Sequence, residues 1–170
     1  MSLEELLLRI QATPGCKINV PSGFPTIDKR HRLPNDLHQF YQFCGGLTLG
    51  AGTKYPIAIV PPIRCVQANP IFLGDVTGLA QQAQGDDISW SWYIIADCGD
   101  GDYLTIDLDQ DRLGRCYDSF HETYGLVGEM PIIATTFTDL LTRLYENRGQ
   151  YWYWLQSDFV SLGDAYDGVS

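Results

Sequence analysis

The chain has 170 residues and a formal net charge of −10. This length fits one domain of ordinary size, which can bury a core without disulfides or metal ions. The acidity disfavours a nucleic-acid partner and favours a basic protein partner.

Two helices are predicted in the first part of the chain. The first spans residues 3–10, where apolar residues recur at helical spacing and Ser2 suits the N-cap. Residues 14–32 then look irregular. The second helix spans residues 34–44, because Pro34 fits a first turn and two glycines follow the last apolar position.

Short strands are predicted next, at residues 47–49 and 56–60. Residues 63–68 are predicted to continue the same sheet. The pattern is weakest over residues 69–91, where it suggests a short helix between Gly74 and Gln84.

A central β-hairpin is the clearest feature of the sequence. Residues 92–96 form an apolar run, and residues 103–108 alternate apolar with polar, which indicates a strand with one face on a core. The turn from Asp97 to Asp102 contains two glycines and three aspartates, which favour a tight reversal. A third strand, antiparallel to the second, is predicted from Arg115 to Asp118.

The last part of the chain predicts another helix and an aromatic segment. The helix begins at Thr135 or Thr136, has one apolar side and ends at Gly149. The segment from Tyr151 to Leu155 holds four aromatic residues. Its alternation suits a strand buried against the sheet, and an exposed aromatic anchor for a partner is the alternative.

Several features indicate a cytoplasmic protein. The five cysteines are odd in number and form no CxxC pair, which is typical of free thiols in a reducing compartment. The acids near the N-terminus are unlike a secretory signal. No apolar run approaches the roughly 18 residues that would span a bilayer.

The charge is distributed unevenly along the chain. Residues 1–64 hold seven Lys or Arg against four Asp or Glu, which gives +3. Residues 65–170 hold four basic residues against seventeen acids, which gives −13. The acidity therefore belongs to the part of the chain around the hairpin.

Four motifs occur in a familiar order along the chain. They are Leu33-Pro34-Asn35-Asp36-Leu37 leading to Gly45-Gly46, Ile95 to Leu108, Arg115 to Asp118 with His121, and Ala134 to Leu141. Their order and spacing resemble the SUKH superfamily, which groups fungal cell-wall regulators of the SMI/KNR type with many bacterial immunity proteins. The resemblance covers roughly residues 30–147 of a single domain spanning residues 1–170, with extensions at 1–29 and 148–170.

The resemblance implies an α+β fold in which helices pack beside a mixed, mostly antiparallel sheet. It also implies a non-enzymatic binding module. In bacterial members the implied role is to neutralise a polymorphic toxin, often a nuclease, and the compact length favours this type. A scaffold or regulatory domain that binds signalling or cell-wall proteins is the alternative, and a small hydrolase or ligand-binding enzyme is a third hypothesis.

Partner contact is predicted on an acidic face around the hairpin, together with Trp92 and His121. Core packing is the commoner role for a tryptophan at such a position, but an exposed Trp92 would make a binding hot spot. Acidic groups that face a basic toxin would speed association. The predicted carboxylates are Asp97, Asp100, Asp102, Asp107, Asp109, Asp111 and Glu122.

Catalytic and metal chemistry are both weakly supported. Asp107 and His121 would form an acid–base pair if the fold brought them together. However, the sequence has no nucleophile elbow, P-loop or HExxH motif. The spacing of the aspartates between 97 and 102 departs from a calcium-binding loop, so these carboxylates are expected to accept backbone N–H bonds, and no metal or cofactor is predicted.

Overall fold

A computed structural model describes residues 1–74 and 87–169. Within these residues, seven strands form one sheet in which every neighbouring pair is antiparallel and the strand order follows the sequence. The strands are β1 (Lys17–Ile18), β2 (Leu47–Leu49), β3 (Ile57–Ile59), β4 (Trp92–Gly99), β5 (Asp102–Asp107), β6 (Cys116–Ser119) and β7 (Ile132–Ala134).

Four α-helices accompany the sheet in the described part of the chain. They are α1 (Leu3–Gln11), α2 (Asn35–Phe43), α3 (Ala68–Leu73) and α4 (Phe137–Asn147). The predicted α+β class is confirmed, as are the first two helices and the helix after Thr136. The helix suggested between Gly74 and Gln84 falls almost entirely on residues 75–86, outside the described residues.

The helix ends follow from the local sequence. Ser2 and Glu5 form a reciprocal capping box at the start of α1. Thr136 Oγ1 accepts the backbone N–H of Asp139 at the start of α4. The carboxylate of Asp36 on α2 accepts bonds from the backbone N–H and the hydroxyl of Thr138, at 2.8 and 2.9 Å, and so joins α2 to α4.

The predicted three-stranded core of the sheet is confirmed. β4 pairs with β5 and β5 pairs with β6, all antiparallel. The β4–β5 turn is tight because Gly99, Asp100 and Gly101 all adopt positive φ, at 86°, 56° and 82°. Glycine reaches this region without strain, and aspartate reaches it more readily than most residues.

The expectation that β5 has only one buried face is wrong. Leu104 and Ile106 lie on one face and Thr105 and Asp107 on the other, and all four are fully buried. Aromatic residues from outside the sheet cover the face that carries Thr105 and Asp107. Phe72 of α3 and Tyr124 stack with their ring centroids 4.0 Å apart, and the ring of Tyr166 lies 5.8 Å from that of Trp92.

Asp107 is the centre of a buried polar network that ties three strands together. Its carboxylate accepts hydrogen bonds from side chains on β4 and β6, from a residue just before β4 and from a residue in the β5–β6 turn. It also accepts a hydrogen bond from the backbone N–H of Asp109 at 3.1 Å. We call this group the Asp107 cluster. Its side-chain donors are Ser91 Oγ at 2.6 Å, Trp92 Nε1 at 3.2 Å, Arg112 Nε at 3.0 Å and Tyr117 OH at 2.6 Å.

Two further local predictions are wrong. Residues 63–68 do not extend the sheet: a 3₁₀ turn at Pro62–Arg64 leads towards α3, and Gln67 makes an isolated bridge to Tyr93. The aromatic segment forms a 3₁₀ turn at Tyr153–Leu155 instead of a strand. Its Trp154 is nevertheless buried, as the packing interpretation expected.

The five cysteines are all free. Among the described residues, no helix has the length and apolar character needed to cross a membrane.

We predict that Asp107→Ala lowers the free energy of unfolding by roughly 3–5 kcal/mol, because it leaves Arg112, a largely buried charge, with only Asp109 at 3.6 Å and removes the acceptor of three other buried side-chain donors. Urea titration measures this change. The control is Asp111→Ala, an exposed carboxylate in the next turn, for which the change should stay within about 0.5 kcal/mol. Equal losses for both variants would contradict the assigned role of the cluster.

Candidate functional site

The predicted acidic residues do not form one face. Asp97, Asp100 and Asp102 lie at the β4–β5 turn, whereas Asp107 lies at the other end of β5, followed by Asp109 and Asp111. Asp107 lies five positions after Asp102 along the extended strand, which is about 17 Å. The structure therefore divides the acidic residues between two ends of the sheet.

Two predicted contact residues are inaccessible. Trp92 and Asp107 are both fully buried, and Trp92 donates a hydrogen bond to Asp107 within the Asp107 cluster. Neither side chain can touch a partner, so burial removes both from the candidate site.

Of the two acidic ends, the β5–β6 turn has less uncompensated negative charge. Arg112 lies 3.0 Å from a carboxylate oxygen of Asp107 and 3.6 Å from one of Asp109. One guanidinium therefore offsets two of the three carboxylates of this turn. Of these three, only Asp111 is exposed and has no ion pair within the described residues.

The opposite end brings together five of the predicted residues. We call Asp97, Asp100, Asp102, His121 and Glu122 the acidic turn. They meet there because the β4–β5 turn and the start of the β6–β7 connection lie at the same end of the antiparallel strands.

His121 joins the two segments of the acidic turn. Asp102 Oδ1 accepts the backbone N–H of His121 at 3.0 Å and lies 2.7 Å from its Nδ1. Glu122 Oε1 lies 3.8 Å from His121 Nε2. His121 therefore meets Asp102 and Glu122. The acid–base pair with Asp107, which required the fold to bring the two residues together, is not formed, because they lie at opposite ends of β5.

The remaining carboxylates of the acidic turn differ in their partners. Asp97 Oδ1 accepts the backbone N–H of Gly99 at 2.8 Å, and Asp97 Oδ2 binds Arg64 at 3.0 Å. This is the turn-stabilising role that the sequence predicted for these aspartates. Asp100 is exposed at the tip of the turn, where its charge is available to a partner.

A cavity of about 550 Å³ opens beside the acidic turn. Carboxylates and aromatic rings from three parts of the chain line it, and we call it the acidic–aromatic pocket. Its carboxylates are those of Asp102, Asp118 and Glu129, and its aromatic rings include those of Phe120, Trp152 and Trp154.

Asp118 is the unusual member of this pocket. It opposes Leu104 in the sheet, and it has no ion pair within the part of the chain that the structure describes. The Trp154 indole N–H faces its carboxylate without forming a well-aligned hydrogen bond. Burial raises its pKa from 3.8 to about 6. The Trp154 indole opposes this rise and the charge of Asp102 adds to it.

Sequence reasoning missed Asp118 and Glu129 as site residues. Asp118 was placed correctly at the end of a strand, but the pocket forms only when the segment 151–155 packs against that strand end. The aromatic composition of this segment was the available signal, and its alternative interpretation as a contact surface concerned the same segment.

Residues 28–143 match the SMI1 / KNR4 family (SUKH-1), which is more than half of the chain. The chain belongs to this family. The resemblance inferred from the four motifs is thereby confirmed.

Similarity to one curated protein extends beyond the residues of the family match. The chain is 48% identical over 169 residues to Immunity protein YokJ of Bacillus subtilis (strain 168), covering 99% of this chain and 98% of that protein. No solved structure shows a significant match.

The SUKH-1 match contains the whole acidic turn but not the whole pocket. Asp97 to Glu122 lie inside residues 28–143, whereas Trp152 and Trp154 lie outside them. The alignment with YokJ spans nearly all of both chains, so this segment belongs to the length that the two proteins share.

We predict that Asp118→Asn stabilises the protein at pH 8 by about 1–3 kcal/mol. The folded pKa of about 6 lies above the ordinary 3.8, so above pH 6 both states are ionised and the buried charge costs stability. As the pH falls from 6 to 4, the wild type gains stability by taking up a proton and the difference should shrink. Urea titrations from pH 4 to 8 measure this difference, and Asp100→Asn, an exposed change of the same type, is the control.

A pH-independent difference, or a destabilised Asp118→Asn variant at pH 8, would contradict the assigned burial of this carboxylate.

Proposed function

We propose that this chain is an immunity protein that binds a toxin domain and blocks it without catalysis. The 48% identity to Immunity protein YokJ over nearly the full length of both chains carries this proposal. Membership of the SUKH-1 family supports it, because a family of binding modules accounts for a compact domain with no recognised catalytic motif.

The acidic turn is the proposed contact surface, and a basic toxin surface is the proposed partner. Asp100 and Glu122 are exposed, and the side chains of Asp97 and Asp102 retain 28% and 27% of their accessible surface. Carboxylates at such positions attract a basic partner over several ångströms and orient it before contact. On a nuclease toxin they would occupy the place of the nucleic-acid phosphates.

The hydrolase hypothesis loses its support, because the Asp107–His121 pair on which it rested is not formed. The scaffold hypothesis has no feature of its own in the described residues. It predicts a partner other than a toxin, so under this hypothesis the chain would not relieve growth arrest in the following experiment.

Co-expression tests the proposed function directly. We expect a protein with a C-terminal toxin domain to be encoded beside this gene. This domain should arrest bacterial growth when expressed alone, and the present chain should restore growth by forming a complex with it. Purification of the two proteins as a stable pair is the biochemical measurement. Growth arrest that this chain does not relieve, at equal expression, would contradict the proposal.

The charge mechanism makes a separate kinetic prediction. Asp100→Asn with Glu122→Gln should lower the association rate with the toxin by roughly three- to tenfold at low salt and flatten its salt dependence, since screening acts over about 8 Å at 0.15 M. Stopped-flow mixing measures the rates. These two side chains are chosen because the described residues give them no hydrogen bond, unlike Asp102, whose loss would also release His121.

The matched control is Asp111→Asn, which removes an exposed charge at the other end of β5. It should leave the association rate nearly unchanged. Equal effects at both ends, or none at either, would show that net charge and not the acidic turn controls association.

A further inference from the structure

We propose that the acidic–aromatic pocket receives an arginine side chain presented by the toxin. This inference rests on the proposed function and deepens it, because it assigns the chemistry of one contact beside the acidic turn.

The charge of the pocket selects a cation. Asp102, Asp118 and Glu129 line it, and no lysine or arginine is among its lining residues. The basic group closest to these carboxylates is His121, at 2.7 Å from Asp102, and it leaves Asp118 and Glu129 without a cationic partner among the described residues. A positive group entering the cavity would therefore meet unpaired carboxylates.

The walls of the pocket favour an organic cation over a metal ion. Phe120 and Trp152 are half-buried, and Trp154 is only 7% exposed. Aromatic faces attract guanidinium groups by cation–π contact and stacking, whereas a hard metal ion requires several oxygen ligands in close geometry. The described part of the chain has no group of three or more residues placed to hold a metal ion.

The state of Asp118 in the free protein points to a missing partner. Its carboxylate is partly desolvated by the fold, and within residues 1–74 and 87–169 it is faced by the Trp154 indole N–H, which does not form a well-aligned hydrogen bond with it. A guanidinium supplies two parallel N–H donors to a carboxylate, which is the strongest arrangement available for such a pair. Because folding has already desolvated Asp118, much of the usual cost of burying that carboxylate is not incurred again on binding.

Trp154 supports the same arrangement. Its Nε1 is buried in the wall beside Asp118, which it faces, but it makes no well-aligned hydrogen bond among the described residues. An unpaired buried N–H is uncommon in folded proteins. A guanidinium that holds Asp118 ionised and fixed would give this N–H a fully charged acceptor.

The size of the cavity is consistent with this occupant. At about 550 Å³ it falls within the range of pockets that bind small ligands, so it has room for a guanidinium, its aliphatic arm and neighbouring atoms of the toxin. The apolar stem of arginine would pack against the rings while its head meets the carboxylates.

The first test needs no toxin. Blocked arginine (N-acetyl-arginine amide) is titrated into the full chain, and amide and indole N–H resonances are followed by NMR, with Trp154→Phe assigning the Trp154 signal. We expect saturable shifts centred on residues 98–102, 118–131 and 151–155, including the Trp154 Nε1–H. Blocked citrulline, which has nearly the same shape and no charge, should bind at least about tenfold more weakly.

Asp118→Asn provides the matched variant. It should weaken blocked arginine at least about tenfold while the fold stays intact, since this substitution is expected to stabilise the protein. Equal binding of arginine and citrulline, shifts located elsewhere, or an unaffected Asp118→Asn variant would each overturn the proposal.

The second test separates this inference from the proposed function. Asp118→Asn should weaken the toxin complex at least about tenfold, mainly through faster dissociation, while Asp111→Asn should not. A chain that protects against the toxin equally well with either substitution would retain its immunity function and refute the arginine pocket. Blocked arginine that binds while no toxin is neutralised would support the pocket and refute the proposed function.

Discussion

The buried carboxylate of Asp107 is the constraint on which the sheet depends. A charge in this position is tolerated only when it is fully paired, and here four side chains and one backbone N–H supply the pairing. Because the donors come from both neighbouring strands and from the next turn, the network fixes the positions of β4, β5 and β6 relative to one another. It also explains how β5 can bury both of its faces.

This rigid centre determines what the two ends of β5 can do. At one end Arg112 forms ion pairs with Asp107 and Asp109, and so offsets part of the negative charge of the β5–β6 turn. At the other end the carboxylates have only Arg64 and His121 as partners within the described chain, so a strong negative field remains beside an aromatic cavity. The asymmetry arises from a structural charge pair, and it is the reason why we propose the acidic turn as the surface that binds a basic protein.

Local patterns in the sequence predicted much of the fold. Capping residues and helical spacing identified α1, α2 and α4, and the Asp–Gly turn identified the central hairpin. The burial of Asp107 was not predictable in this way, because alternation along β5 assigns it to the polar side and its donors are spread from Ser91 to Tyr117. The pocket was missed for the same reason: Asp118, Glu129 and Trp154 meet only after long-range packing.

Hydrogen–deuterium exchange of this chain, alone and in complex with the toxin, tests the central claim most directly. Amides at interfaces exchange more slowly on binding, so the method locates the contact surface without any substitution. The account predicts slower exchange over residues 97–102 and 119–131, with residues 108–114 unchanged. Slower exchange confined to residues 108–114, or to the helices on the opposite edge, would contradict it.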